Sequence, residues 1–340
     1  MPRVAMVKGG DRRSNLRRAL KLLEKDIDSS IDRKNSSKLF IKINAIDINF
    51  PLACTDPAAL DVILEHFRDR FEDIIVGDNS FAFSRMGDDN IYTPLAEKFD
   101  DLKFSDLTDF GSKEIDFKRL NGSVKRGRIS TLPESAYTIS LALPKTHDHA
   151  IFTACLKNMM GCVVHQRPSV HSINFVDRLF LNKFVKSIRL MNENLVRVIG
   201  DALPDLCILD GFVGMEGDGP IFGSEVQLDL AMCSLDGVAL DTIASKIAGF
   251  ETVHYLKMCE ELELGTRALD KIEILKEGFE DLREVSRGFT PHYLYNYQLM
   301  LDVPESPIPK FDFKLFWSYV KRFYRIKDKA MERIRREGFY

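Results

Sequence analysis

The feature that most constrains this chain is a strand–helix–strand succession between residues 38 and 80. "KLFIKINAI" (38 to 46) is an Ile- and Phe-rich run of strand length. "CTDPAALDVILEHFRDRF" follows, with Asp56 placed as an N-cap and Pro57 at the first helical position. Ala59, Val62, Ile63, His66 and Phe67 then recur at helical spacing. "DIIVGDNS" (73 to 80) is a second strand. A helical crossover between strands favours parallel pairing, so the expected fold class is α/β, with mostly parallel sheets flanked by helices.

The rest of the chain extends this pattern. The N-terminus reads as a strand (Val4 to Val7), a Gly9-Gly10 turn and a basic helix. "YTPLAEKFDD" reads as a helix, "LKFSDLT" as a strand, and Asn121-Gly122 as a hairpin turn. "AYTISLALPKTH" (136 to 147) is a strong strand, and "HDHAIFTACLKNMMG" a helix closed by Gly161. A polar loop then precedes a long helix from about residue 173 to 199. "DLCILDGFVGMEGDGP" reads as strand then glycine loop, "EVQLDLAMCS" as a strand and "LDGVALDTIASKIAGF" as a helix. The expected organisation is one α/β unit over residues 1–285. Two lobes, about 38–145 and 146–285, would flank a cleft. An aromatic, basic C-terminal extension covers 286–340. Leu315, Tyr319, Phe323 and Ile326 share one helical face there, as in a helix docked on the body or one that binds a membrane surface or a partner.

Composition excludes several classes. Of 340 residues, 45% are hydrophobic and 29% charged, the balance of a globular protein. A net charge of −3 gives no reason to expect nucleic acid. No run is long and apolar enough for a transmembrane segment. Six cysteines lack CxxC, zinc or iron–sulfur spacing, so no built-in cluster is expected, and a reducing, cytoplasmic compartment fits.

Chemistry is sought at the carboxyl ends of parallel strands, where open α/β sheets bind ligands. Four such ends are polar: Lys42/Asn44, Asp78/Asn79/Ser80, Lys145/Thr146/His147, and Asp210 with its glycines. Lys42 and Asn44 would share a strand face, and the apolar flanks make a merely solvated lysine less natural. Thr146 or Asp148 could cap a following helix whose N-terminus attracts anions. His147 and His149 form H-x-H, suited to a metal ligand, an acid–base group or simple capping. Lys157 lies late in its helix, where the dipole alone accounts for a lysine. In "LDGFVGMEGDGP", Asp210 should end the strand, Glu216 could ligate a hard cation or move a proton, and Asp218 should be solvated. The loop is neither a P-loop nor a dinucleotide fingerprint.

Taken in order, "IKINAI", "GDNS", "LPKTHDHAIFTACLKNMMG", "LDGFVGMEGDGP" and "SLDGVALDTIA" resemble the motifs of the domain of unknown function 362 family, over roughly residues 38 to 275. Lys42 and Asn44 match the first motif, with Ile43 where the family has proline. Gly77 and Asp78 match the second, and Asn79-Ser80 departs from its Ser-Pro. Lys145, Thr146 and His147, then Leu156, Lys157 and Asn158, match the next two. Asp210, Gly211, Met215, Glu216, Gly217, Gly219 and Pro220 match the glycine loop, and Asp236, Val238, Ala239 and Asp241 the last motif. The resemblance extends distantly to the layout of nickel-dependent lactate racemases. It implies no settled activity, and this chain lacks the ferredoxin-type cysteines many members carry.

Two functional expectations follow. One is an enzyme acting on a small anionic metabolite in the inter-lobe cleft by acid/base or metal-assisted chemistry, racemase-like proton transfer included. His147, Lys145 and Glu216 would be catalytic. Lys42, Asn44, Asp78, Lys157, Asn158, Gly217 and Gly219 would bind the ligand, and Asp210, Glu216 and His147 a divalent metal. The other is a non-catalytic cofactor-, metal- or cluster-binding or delivery protein that docks on a redox or enzyme partner through the C-terminal basic helix.

Overall fold

The computed structural model describes residues 1–47, 50–79, 91–99, 102–164, 180–301, 312 and 314–321. Its largest element is a ten-stranded mixed sheet. In chain order its strands are β1 (Arg3–Lys8), β2 (Lys38–Lys42), β3 (Asp73–Asp78) and β4 (Lys103–Asp106). After β5 (Ser112–Lys118) and β6 (Val124–Ser130), which lie elsewhere, come β7 (Tyr137–Ala142), β8 (Lys145–His147) and β9 (Ile151–Thr153). With β10 (Val163–Val164) also outside it, the sheet is completed by β11 (Leu206–Glu216), β12 (Ser224–Ser234) and β13 (Glu273–Glu277). The spatial order is β13-β1-β12-β11-β7-β2-β3-β4, with β8 joined to β11 and β9 to β8. From β11 through β7, β2 and β3 to β4 every pairing is parallel. β12 is antiparallel to both β11 and β1. β10, β6 and β5 form a small antiparallel sheet of their own.

The parallel half arises as the sequence suggests. Asp56 accepts a hydrogen bond from Ala58 N and Pro57 opens the helix Pro57–Phe67, which carries the chain from β2 back to start β3. Asp11 caps the helix Arg12–Leu22 in the same way through Ser14 N. Strand residues alternate between two cores. Leu39, Ile41, Leu206 and Ile208 face one side, with Leu16, Leu20, Ile27, Leu60 and Ile63. Phe40, Cys207 and Leu209 face the other, with Met191, Leu195, Leu240 and Ile243. A sheet covered on both faces explains strands that are nearly continuous hydrophobic runs.

Both stretches divided at about residue 145 contribute to this one sheet, because β7 and β11 pair directly. No helix among the described residues is long and apolar enough to cross a membrane.

Two local expectations change. The helix expected after residue 147 begins only at Cys155, because β8 and β9 form a tight hairpin first. Ile151, a β-branched residue, takes φ 66° there, an uncommon and costly conformation. The glycine-rich stretch after Asp210 continues β11 to Glu216, paired with β12 through a bulge between Gly211 and Val213, so Asp210 lies within the strand. The long helix runs Leu181–Asp201, and the part expected from 173 to 179 lies outside the described residues.

Candidate functional site

The carboxyl ends of β2, β3 and β7 bring four of the expected residues together. Lys42, the last residue of β2, is 1% exposed. Its Nζ pairs with Asp78 Oδ1 at 2.7 Å and donates to the Ile43 carbonyl at 2.6 Å and to Asn158 Oδ1 at 3.4 Å. Asp78 closes β3, and its other oxygen accepts from Ala45 N at 2.8 Å. Asn158 Nδ2 donates to the Lys42 carbonyl at 2.8 Å and to Ser140 Oγ at 3.1 Å. Gly161 lies flat against this group, where a Cβ would collide with Asp78 and Lys42, so the pair can be this buried only because residue 161 has no side chain. Asn158 is therefore a brace for Lys42, and the buried ion pair is well satisfied.

Lys145 differs. It is also 1% exposed, and its Nζ donates to the Ala53 carbonyl at 2.7 Å. Among the described residues no carboxylate forms an ion pair with it. The ionisable groups acting on it are Cys54, Lys157, Asp78 and Lys42. Burial, with the neighbouring lysine charges, brings its amine down to about 7, although the Cys54 and Asp78 side chains oppose this. Lys157, partly exposed in the turn Cys155–Asn158, is lowered by burial to about 8 against the pull of Asp148. Burial pushes the Cys54 thiol up to about 11, with Lys145 working the other way.

His147 ends β8 two residues from Lys145 and is buried. Its Nδ1 accepts from His149 N at 2.9 Å and Ala150 N at 3.3 Å, so the neutral ring carries its proton on Nε2. Asp148 Oδ1 lies 3.1 Å from His147 Nδ1 and 3.2 Å from His149 Nδ1. The turn that holds these groups is anchored from several directions. Gln298 Nε2 donates to the His147 carbonyl at 2.6 Å, Asn192 Nδ2 to the His149 carbonyl at 3.2 Å, and Thr146 Oγ1 to the Gly217 carbonyl at 3.0 Å.

The glycine-rich strand end does other work. Glu216 Oε2 accepts from Thr290 N at 2.8 Å and Oε1 from Thr290 Oγ1 at 3.0 Å, while Gly217 N donates to the Thr290 carbonyl at 2.8 Å. Asp218 is buried, contrary to expectation, with Oδ1 3.2 Å from His292 Nε2; Leu294 N donates to the ring's Nδ1. Asp210 pairs with Arg12 Nε at 3.2 Å, and Arg12 also pairs with Asp56. Burial lifts Asp210 to about 6, with the Arg12 charge opposing. The stretch thus clamps the chain after residue 288, and Gly217, at φ 74°, makes the turn. Gly219 packs against the Thr146 backbone.

The expected metal trio of Asp210, Glu216 and His147 is divided among Arg12, Thr290 and the hairpin turn. Among the described residues no three His, Cys, Asp or Glu side chains gather as a metal set. Asn44 lies beyond the end of β2, and its Oδ1 accepts from Ile46 N at 3.3 Å in a local turn.

Sequence reasoning missed two contributors. Cys54, beside Lys145, had only the signal of a small buried residue. Asp241, part of the last motif but given no role, is fully buried. It accepts from Cys155 N at 3.0 Å and Leu156 N at 2.9 Å, tethering the turn that carries Lys157 and Asn158. Burial raises its carboxyl to about 7 against those two hydrogen bonds. The C-terminal segment docks on the body: Leu315 and Tyr319 are buried with Phe184, Ile188 and Leu294. Phe323 and Ile326 lie outside the described residues.

Known proteins bear on this arrangement in three ways. A thylakoid-associated protein of Synechocystis is 29% identical over 129 residues, 37% of each chain, so this chain spans well under half the length of that relative. The lactate racemase apoprotein of Thermoanaerobacterium thermosaccharolyticum superposes with a TM-score of 0.44 at 12% identity, covering 73% of this chain and 58% of that one. A Thermotoga maritima protein gives 0.41 at 9%, covering 76% and 60%. The model of the domain of unknown function DUF362 matches residues 39–246, which hold the lysine cluster, the hairpin and the acids of the clamp, but not their partners Arg12, Thr290 and His292. The chain belongs to the DUF362 family.

Proposed function

We propose that this chain is an enzyme acting on a small anionic metabolite at the carboxyl ends of β2, β3, β7 and β8, by acid–base chemistry with Lys145 as the proton-transferring group. The observation that carries this reading is Lys145 itself. It is a fully buried amine with a neutral carbonyl as its hydrogen-bond partner, an acidity near 7 and two further lysines acting on it. A base poised near the working pH, short of counter-charge, suits both anion binding and proton transfer. Lys157, partly exposed, supplies charge for the anion, and His147 lies two residues from Lys145 at the end of β8. Lys42 and Asp78 neutralise each other and form the floor. Glu216 and Asp210 have structural roles in this scheme.

The test joins binding to turnover. A panel of small carboxylates and phosphates is screened for a raised melting temperature, and each binder is followed by proton NMR in D2O. The expected result is a ligand whose carbon-bound proton exchanges in the presence of the wild type and not of Lys145→Met. A panel with no binder that depends on Lys145 or Lys157 would overturn the reading.

The alternative is a non-catalytic binding or delivery protein. It finds support in Trp317, 56% exposed on the docked helix, as a contact for a protein partner. Under that reading Trp317→Ser abolishes partner capture and leaves anion binding unchanged.

A further inference from the structure

The three lysines at the strand ends are not equivalent, and the differences point to a substrate class. Lys42 is committed to Asp78, the Ile43 carbonyl and Asn158. Lys157 is partly exposed, and the ionisable group acting on it is Asp148. Lys145 is buried, and among the described residues its hydrogen bond goes to the Ala53 carbonyl. That bond uses one N–H and orients the amine, so an unprotonated Lys145 directs its lone pair away from Ala53. A buried amine among cationic neighbours is the arrangement that activates lysine as a nucleophile toward carbonyl carbon.

Charge balance narrows the partner. Lys42 and Asp78 form an ion pair, and among the described residues the acid acting on Lys157 is Asp148, which also lies against His147 and His149. A ligand that supplies a carboxylate next to an electrophilic carbonyl meets both needs at once. We propose that Lys145 captures the carbonyl carbon of a small 2-oxo acid as a Schiff base, with Lys157 supplying the charge for the acid's carboxylate. This rests on the anion-site reading above and adds the substrate class and the covalent step.

The step is balanced without an oxidant. The unprotonated Lys145 nitrogen attacks the carbonyl carbon, and one of its two protons passes to the carbonyl oxygen to give a neutral carbinolamine. Its second proton leaves with that hydroxyl as water as the C=N bond forms, so one water is released and no external oxidant or reductant is needed.

The experiment uses the wild-type chain with pyruvate and sodium cyanoborohydride at neutral pH. Hydride from the reagent reduces an imine to a stable secondary amine, and peptide mass spectrometry locates it. Melting temperatures are measured in parallel with pyruvate and with lactate, which lacks the carbonyl. The expected result is one reduced pyruvyl adduct on Lys145, exceeding any surface lysine by at least about tenfold because those amines are almost wholly protonated at this pH. Lys145→Met, checked for folding by circular dichroism, should lose the adduct. If pyruvate and lactate both raise the melting temperature and no adduct forms on Lys145, the Schiff base is wrong and the anion site stands. An adduct on Lys157, or spread over surface lysines, also overturns the assignment. If neither acid binds and no adduct forms, the covalent proposal and the anion-site reading for these acids both fail.

Discussion

The lysine cluster and the glycine-rich clamp are both polar, both carry family motifs, and both lie at the same end of the sheet, yet they are built on opposite electrostatic terms. In the clamp every acid has a partner: Asp210 has Arg12, Glu216 has Thr290 and Asp218 has His292. In the cluster Lys42 is neutralised and Lys145 is not. Satisfied polar groups hold a structure together, whereas a buried amine without a counter-charge costs stability and is retained where chemistry needs it. Motif matching cannot draw this distinction, because both regions match family motifs while the partners of the clamp acids lie far away in the chain.

The comparison can be broken at the ion pair first. Asp78→Ala leaves Lys42 buried without its carboxylate and should cost about 3–5 kcal/mol, read by chemical denaturation. Replacing Lys42 and Asp78 together by Met and Leu should recover most of that loss, a coupling that a mere packing role for Asp78 would not give.

Lys145 should behave in the opposite sense. Its acidity falls from the ordinary lysine value of 10.5 to about 7 on folding, so between these two values the unfolded chain binds more protons and stability rises with pH. Below about 7 the whole penalty is present. Lys145→Met should therefore be more stable than wild type at pH 6, by on the order of 2–4 kcal/mol after allowance for altered packing. The gain should shrink steadily toward pH 10, as melting temperatures across that range would reveal. A destabilised Lys145→Met at pH 6 would place Lys145 with the satisfied groups.

Asp241→Ala tests the tether of the turn that carries Lys157 and Asn158. It leaves Cys155 N and Leu156 N without their acceptor and should cost about 2 kcal/mol. It should also loosen the Lys157 turn, visible as faster amide exchange at residues 155–158. The smallest effect belongs to the clamp: Glu216→Gln keeps an oxygen for Thr290 and should cost less than about 1 kcal/mol. It should leave anion binding and pyruvate trapping unchanged, and a large loss of either would return Glu216 to the site.

Much of the fold was legible in local signals. The Asp56-Pro57 cap, the Ile- and Val-rich strands and the Asn121-Gly122 turn each act over a few residues, and each lies where the sequence puts it. Lys42 and Asp78, read at two strand ends, form an ion pair, while Asn158, read on a helix, joins them from the turn Cys155–Asn158. What could not be read depends on distant partners. Thr290 and His292 each lie 74 positions from the acids they bind, so Glu216 and Asp218 looked free. Lys145 starts β8 and Cys54 follows the turn Pro51–Ala53, and no spacing rule links them. The β8–β9 hairpin was hidden because Ile151 adopts a conformation β-branched residues rarely take, and an apolar run after histidines favours a helix by pattern alone.

The central claim is that Lys145 is a buried amine poised near neutrality. It is tested most directly by titrating the side-chain 13Cε resonance of Lys145 in protein labelled at lysine, assigned by its absence in Lys145→Met. A midpoint at about 7, well apart from the surface lysines, is the predicted result. A Lys145 that titrates with the surface lysines, near the ordinary 10.5, would contradict the account.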